Sequence, residues 1–278
     1  MRPRLICATF ILLLGIPTLQ VTGKAIIGTP GVGVPVFVES VGATTNGSTS
    51  AISVSLGTNT TSANEDVGVG VYTQISSSTG CSTGTSMVTD SDSQTYTFIV
   101  GRYMAESGGG CLELWHYKGS ASGVTTIDVT LGNSVHEGGA IVWHVKNITT
   151  GNDPTATIWV PAAPGDTTPW TGATVSTNGS TEFIAALTYS VFHTNNSGAL
   201  NALLFTNTGN GAWTQGETIC SQSSSSPCTV EGANLDGANA GVFGFAYLIG
   251  SSTSFANTGS NNGSTNVYYN FPGIAGFK

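Results

Sequence analysis

The stretch "CLELWHYKG", Cys111–Gly119, places a cysteine, a glutamate, a tryptophan, a histidine and a tyrosine within seven positions. Side chains that attack, bind metal, move protons and stack on sugar rings are rarely so close together. In an extended strand, however, neighbours point to opposite faces. Glu113, Trp115 and Tyr117 then share one face, and Leu112, Leu114 and His116 share the other. The leucines read as core. The Glu-Trp-Tyr face reads as facing solvent or covered by a loop. It serves either as a stripe that stacks on sugars or as packing for a cross-strand neighbour. Trp143, Trp159, Trp170 and Trp213 extend the same question, and the expected binding set is Trp115, Tyr117, Trp143, Trp170 and Trp213.

Other reactive groups are scattered. The histidines are His116, His136, His144 and His193, with no H-x-H or H-E-x-x-H among them, so no metal centre is expected from spacing. In "TDSDSQ", Asp90 and Asp92 offer a weak calcium candidate, but two carboxylates fall short of the ligand set of a full loop site. Asp and Ser in such a turn hydrogen-bond the backbone and shape it. Glu106, Glu113, Glu137, Glu182 and Glu217 could supply a glycosidase pair, which requires two carboxylates across a cleft. No acid-x-acid-x-acid strand is present, and no G-x-S-x-G serine motif. No catalytic residue is assigned and no cofactor is implied.

The elements that must hold these residues read as strands. Short runs rich in Val, Ile, Thr and aromatics recur between Gly, Ser, Asn and Asp, the pattern of an all-β sandwich or barrel. Expected strands are 34–40, 51–56, 67–75, 94–104, 111–117, 125–131, 140–148, 155–160, 180–192, 202–207, 241–250 and 266–271. In "TTIDVTL", Ile127, Val129 and Leu131 alternate with Thr126, Asp128 and Thr130, so one face is dry and the other wet. The expectation is a two-sheet antiparallel β-sandwich in a single domain, residues 24–278. "PAAPGDTTPW" (161–170) reads as a long crossing loop, and the role of 208–240 is left open.

Residues 1–23 read as a secretory signal peptide: Arg2 and Arg4, an apolar run from Leu5 to Ile16, then a small-residue stretch. That run is too short for a membrane span, and no later segment is apolar enough for one. Without Arg2 and Arg4, five of the seven basic residues remain against fifteen acidic ones. Nucleic acid is therefore excluded as a partner. Charged residues make up 8% of the chain, so Ser, Thr, Asn and Gly must carry solubility. An exported chain with Cys81, Cys111, Cys220 and Cys228 suggests disulfides. The favoured pairs are Cys81–Cys111 and Cys220–Cys228, the second closing the loop "CSQSSSSPC". Zinc knuckle spacing is not present. Sequons at Asn46, Asn59, Asn147, Asn178, Asn195 and Asn262 are N-glycosylation acceptors where the host glycosylates.

The order "TDSDSQTYTFIVGRYM", "LELWHYKGSASGVTTIDVTL", "AIVWHVKNITTGNDPTA", "STNGSTEFIAALTYSV" and a final "IAGFK" resembles a group of uncharacterised secreted bacterial proteins with jelly-roll-like β-sandwich modules. The resemblance implies a jelly-roll-like fold and an extracellular setting, and it transfers no site residue. The functional expectation is a secreted, non-catalytic structural or adhesive protein of the cell surface or matrix. The alternatives are a carbohydrate-binding module, a sandwich-type glycoside hydrolase and a filament subunit that assembles by strand addition. Expected partners are polysaccharide or cell-surface components, and copies of the chain itself.

Overall fold

The computed structural model describes residues 33–58, 60, 65–74, 87–104, 110–119, 122–148, 155–158, 170–192, 203–206, 210–221, 240–261 and 267–278. Two of its strands are unusually long: β1, Val36–Ser55, and β6, Thr126–Lys146. At about 3.3 Å per residue, a straight strand of that length would span roughly 65 Å, so the pair has to bend. They run antiparallel from Val36↔Lys146 to Ser55↔Thr126, with register shifts between Phe37 and Glu39, between Asn46 and Thr49, and between Thr49 and Ala51. Such irregularities bend a ribbon and increase its twist.

The near half of the ribbon joins β2 (Glu65–Gln74), β5 (Gly110–Lys118) and β4 (Thr97–Met104) in the order β1-β6-β2-β5-β4. The far half carries β3 (Met87–Asp90) on the edge of β6. Ile52, Val54, Val88, Ile127, Val129 and Leu131 come from the far half. They share one buried cluster with Val67, Val69, Val71, Trp115, Ala140 and Val142 of the main sheet. The ribbon therefore doubles back over the sheet from which it came.

The opposite face of that sheet meets a second one. β7 (Thr155–Ile158), β9 (Glu182–Phe192), β11 (Thr214–Ser221), β12 (Ala240–Gly250) and β14 (Val267–Phe277) are ordered β11-β12-β9-β14-β7. Leu112, Leu114, Ile141, Trp143 and Val145 pack against Phe183, Leu187, Tyr189, Phe243, Phe245, Phe271 and Phe277. A third sheet, β10 (Leu203–Phe205), β13 (Ser254–Asn261) and β8 (Trp170–Ser176), lies on the far side. There Ala173, Val175 and Phe255 bury Ile184, Leu248 and Ile274. The result is an all-β antiparallel sandwich in which both central sheets are covered on both faces. This explains the near-continuous apolar runs "VGVGVY" and "FIAAL", which do not alternate as half-exposed strands do. All the described strands lie in one unit, Val32–Lys278.

Close approach of the layers depends on glycine at particular points. Trp143 lies across β2 where Gly68 faces it, and a Cβ on Gly68 would stand 2.2 Å from Trp143 Cε2. The indole cannot retreat, since it stacks on Phe245 with centroids 5.0 Å apart and meets Phe277 edge-on. Gly68→Ala should therefore destabilise the fold by about 2–3 kcal/mol, the usual cost of overpacking. Thermal unfolding followed by tryptophan fluorescence measures this, and an unchanged Tm would count against the packing described.

Besides the register shifts at Gln215/Thr218 and Val267/Tyr269, the second sheet takes a proline into its ladder. Pro272 lies in β14 opposite Thr188, with β9 on one side and β7 on the other. Proline brings no N–H to a ladder and is rare away from sheet edges. Asn257 reaches in from β13. Its Nδ2 donates to the carbonyls of Leu187 (2.7 Å) and Gly273 (2.9 Å), with Thr188 Oγ1 at 3.2 Å. Its Oδ1 accepts from Trp170 Nε1 at 3.2 Å. One buried amide thus supplies the donors beside the proline and ties the third sheet to the second.

Candidate functional site

Two acids open β2 side by side, Glu65 and Asp66, and strand alternation sends them to opposite faces of the sheet. Each meets a histidine, so this end of the sheet carries the densest buried ionisable chemistry among the described residues.

On the face covered by the folded ribbon, Glu65 lies beside His144 of β6, and Glu39 of β1 lies beyond it. His144 Nδ1 is 3.1 Å from Glu65 Oε2, and its Nε2 is 3.2 Å from Glu39 Oε1. Lys146 Nζ reaches Glu65 Oε1 at 3.3 Å, and the Thr58 N–H donates to Glu39 Oε1 at 2.7 Å. An ionised carboxylate only accepts hydrogen bonds. Each ring nitrogen of His144 faces a carboxylate oxygen, one from each glutamate. The set brings two carboxylates together with one imidazole and one ammonium. His144 and Glu65 are fully buried, and buried charge is tolerated only when paired in this way. The cluster cross-links three adjacent strands.

On the other face, Asp66 lies near His116 of β5, with Nδ1 to Oδ1 at 3.6 Å. That is too long for a hydrogen bond. Both side chains are almost wholly buried, and they face each other as a long ion pair. Burial pushes the Asp66 carboxyl above its ordinary range, and His116, Lys118 and the Val67 N–H pull it down by less. A carboxyl raised in the folded state stabilises the fold below the ordinary aspartate range, and that contribution is lost as pH rises through its folded value. Asp66→Asn should therefore raise Tm by a few degrees at pH 7. The gain should shrink toward pH 4. A melting series across that range tests it, and a Tm that falls at pH 7 would contradict the burial argument.

His116 and His144 do not face each other, because β2 lies between β5 and β6 and the two rings are on opposite faces. His193 lies outside the described residues, as does the side chain of His136. Among the described residues, no three His, Cys, Asp or Glu side chains gather as metal ligands.

The aromatic candidates are placed differently from the expected open stripe. Trp115 is buried, donates from Nε1 to Glu113 Oε2 at 2.9 Å, and meets Phe98 edge-on. Trp143 and Trp170 are each 1% exposed, one against Phe245 and the other against Phe205. None of the three has a face open to a sugar ring. The reason is the layering: the Glu-Trp-Tyr side of β5 faces the folded ribbon and not water. Tyr117 remains half-buried, tilted against Tyr96, and Trp213 is half-exposed, tilted against Phe205. Trp159 lies outside the described residues.

The remaining candidates have local roles. Asp90 Oδ1 accepts the N–H groups of Asp92 and Gln94, each at 3.0 Å, so it shapes the turn, while Asp92 itself is exposed. Burial and then the Asp90 and Asp66 charges hold the nearby Tyr96 hydroxyl well above its ordinary range. Burial also pushes the Glu217 carboxyl up, while its own N–H donates to Ser40 Oγ. Cys111 is buried at the start of β5 and is not a free thiol. Cys81 and Cys228 lie outside the described residues, as does the side chain of Cys220. Asn147 is exposed with φ +65°, and its Nδ2 donates to the Val34 carbonyl. Asn178 is exposed in a turn, where its Oδ1 accepts from the Ser180 N–H and hydroxyl. Asn59, Asn195 and Asn262 fall outside the described residues, as does the Asn46 side chain. Residues 1–23 lie outside them too. No helix among the described residues is long and apolar enough to cross a membrane.

Sequence reasoning missed the Glu39–His144–Glu65 tie. The available signal was the Glu65-Asp66 pair at the start of an apolar strand, which places one acid on each face. No protein-family model, no curated protein and no solved structure matches the chain.

Proposed function

We propose that the chain is a secreted, non-catalytic structural or adhesive protein of the cell surface or extracellular matrix. The observation that supports this reading is the inward use of its chemistry. Glu39, Glu65, His144 and Lys146 are tied to one another across three strands, and Trp115, Trp143 and Trp170 fill cores. A low-charge surface of Ser, Thr, Asn and Gly is left to meet partners. In this reading residues 1–23 are removed on export and 24–278 form the mature jelly-roll-like sandwich. Cys81–Cys111 and Cys220–Cys228 bridge it, and copies of the chain or surface polysaccharide are its partners.

Immunogold labelling and fractionation of the producing cells test the setting. Label on the surface or in the matrix is the expected result, and confinement to the cytoplasm would sink the proposal. Incubating the mature protein with a polysaccharide panel tests the non-catalytic part. Release of reducing ends that disappears in Asp66→Asn would replace it with a hydrolase.

Carbohydrate binding is a second reading, favoured by the half-exposed Tyr117 and Trp213. A glycan array with wild type and Trp213→Ala decides it: binding lost in the variant supports the reading, and silence from both proteins removes it.

A further inference from the structure

We infer that Asn178 is a site of spontaneous covalent ageing: its side chain closes onto the backbone nitrogen of Gly179 and releases ammonia, and the β8–β9 turn speeds the reaction. This role is independent of the structural function above. Asparagine followed by glycine is the pair most open to such chemistry, because glycine has no side chain to block the approach of its own nitrogen. Two such pairs have their asparagine side chain among the described residues, Asn178-Gly179 and Asn210-Gly211, and both asparagines are exposed.

The two are held differently. Asn178 Oδ1 accepts from the Ser180 N–H at 3.0 Å and from the Ser180 hydroxyl at 2.6 Å. The first bond closes a turn in which an asparagine side chain reaches the backbone two residues on, so the side-chain carbonyl spans the Gly179 peptide. Attack on Cγ makes Oδ1 an oxyanion, and donors already aimed at that atom stabilise the charge that develops there. Gly179 sits at φ +82°, which glycine adopts without the penalty of a Cβ. In Asn210 the hydrogen bond is on the other end of the amide. Its Nδ2 donates to the Ser254 carbonyl at 2.6 Å. That bond ties down the group that must leave and does nothing for the carbonyl oxygen.

The step balances with water alone. The Gly179 N–H gives its proton to solvent, and its nitrogen bonds to Asn178 Cγ. The Cγ–Nδ2 bond breaks, and Nδ2 takes a proton from solvent and leaves as ammonia. Water then opens the cyclic imide at either carbonyl, giving aspartate or isoaspartate. Isoaspartate lengthens the main chain by one methylene. Either product adds a carboxylate close to the buried Glu182, whose Oε1 lies 3.4 Å from the same Ser180 hydroxyl, and like charges so placed repel. The turn is the covalent link from the third sheet to the second, because β8 belongs to one and β9 to the other. Beside it the Thr177 N–H donates to the Thr253 carbonyl at 3.0 Å. Conversion at this link loosens the seat of the third sheet and so records the age of the molecule.

The test uses purified protein from a host that does not glycosylate, since a glycan on the Asn178 sequon would hold the leaving nitrogen. After incubation at mildly alkaline pH, peptide mapping by mass spectrometry should show amide-to-acid conversion faster at Asn178 than at Asn210, with isoaspartate among the products. Ser180→Ala should slow conversion at Asn178 by roughly threefold or more in the folded protein, less than a buried oxyanion donor is worth. The effect should shrink in denaturant, where the turn is lost. Aged protein should melt below fresh protein, and Asn178→Gln should remove most of that difference. Faster conversion at Asn210, or an unchanged folded-state rate in Ser180→Ala, would overturn the assignment. Converted protein that melts like fresh protein would overturn the link to the third sheet.

Discussion

Replacing Asn257 with leucine is expected to cost about 4 kcal/mol, because it strands three buried polar groups at once: the Leu187 and Gly273 carbonyls and the Trp170 indole N–H. Each stranded group costs roughly 1–3 kcal/mol, and the added apolar bulk returns only part of that. For a domain of this size the loss corresponds to a fall in Tm of about 10 °C. Asn257→Asp isolates the cause. It keeps the shape, yet an ionised carboxylate cannot donate to either carbonyl, so at pH 7 it should be at least as damaging as leucine. Acidification returns one donor when the carboxyl protonates, and the deficit should then narrow. Melts of both variants between pH 4 and pH 7 check this. A deficit in Asn257→Asp that does not respond to pH would mean that donation to the ladder is not what matters.

His144→Leu should be comparably severe, at about 3–5 kcal/mol, for a different reason. The His144 ring is the partner that Glu39 and Glu65 share. Removing it takes one partner from the buried Glu65, which also meets the partly exposed Lys146 ammonium, and breaking one member of a buried ionic set is costly. The set itself adds less stability than its breakage suggests, because desolvation offsets most of the attraction. A cycle follows. His144→Leu combined with Glu65→Gln and Glu39→Gln should recover a substantial part of the single-variant loss. Denaturant unfolding of the single, double and triple variants measures the coupling. If the losses simply add, the three residues do not act as a unit.

Most strands were legible because Val, Ile, Thr and aromatics mark them, and "TTIDVTL" and "EFIAALTYSV" fall in β6 and β9. The folding back of the ribbon was not. "VPVFVES" and "AISVSL" read as two strands because "VGATTNGS" between them is small and polar, yet both lie in β1. Nothing local distinguishes a bulged bend from a loop. β8, β11 and β13 escaped notice because "TQGETICS" and "SFANTGSN" are rich in Thr, Ser, Gly and Asn. Their pairing comes from neighbours and owes little to propensity. The aromatics were misplaced by the same blindness. A two-layer sandwich leaves one face of each strand wet, so Trp115 opposite the leucines looked exposed. Only the long-range register reveals the additional layer that covers it. The histidine partners were hidden for a similar reason, since Glu39↔His144 is a pairing between segments far apart in the chain.

The doubled ribbon has a kinetic consequence. β1 and β6 contribute to the main sheet with one half and to the cover with the other, so peeling the cover away tears at the same backbone ladder that anchors the sheet. Neither layer has an independent route to opening. Assembly requires closure of the long intervening chain before these contacts form, which makes folding slow. Escape then requires both layers to fail together, which makes unfolding slower still. A protein built in this way persists by the height of its exit barrier and less by its equilibrium margin. Such persistence would suit the extracellular setting proposed above, where no chaperone refolds the chain.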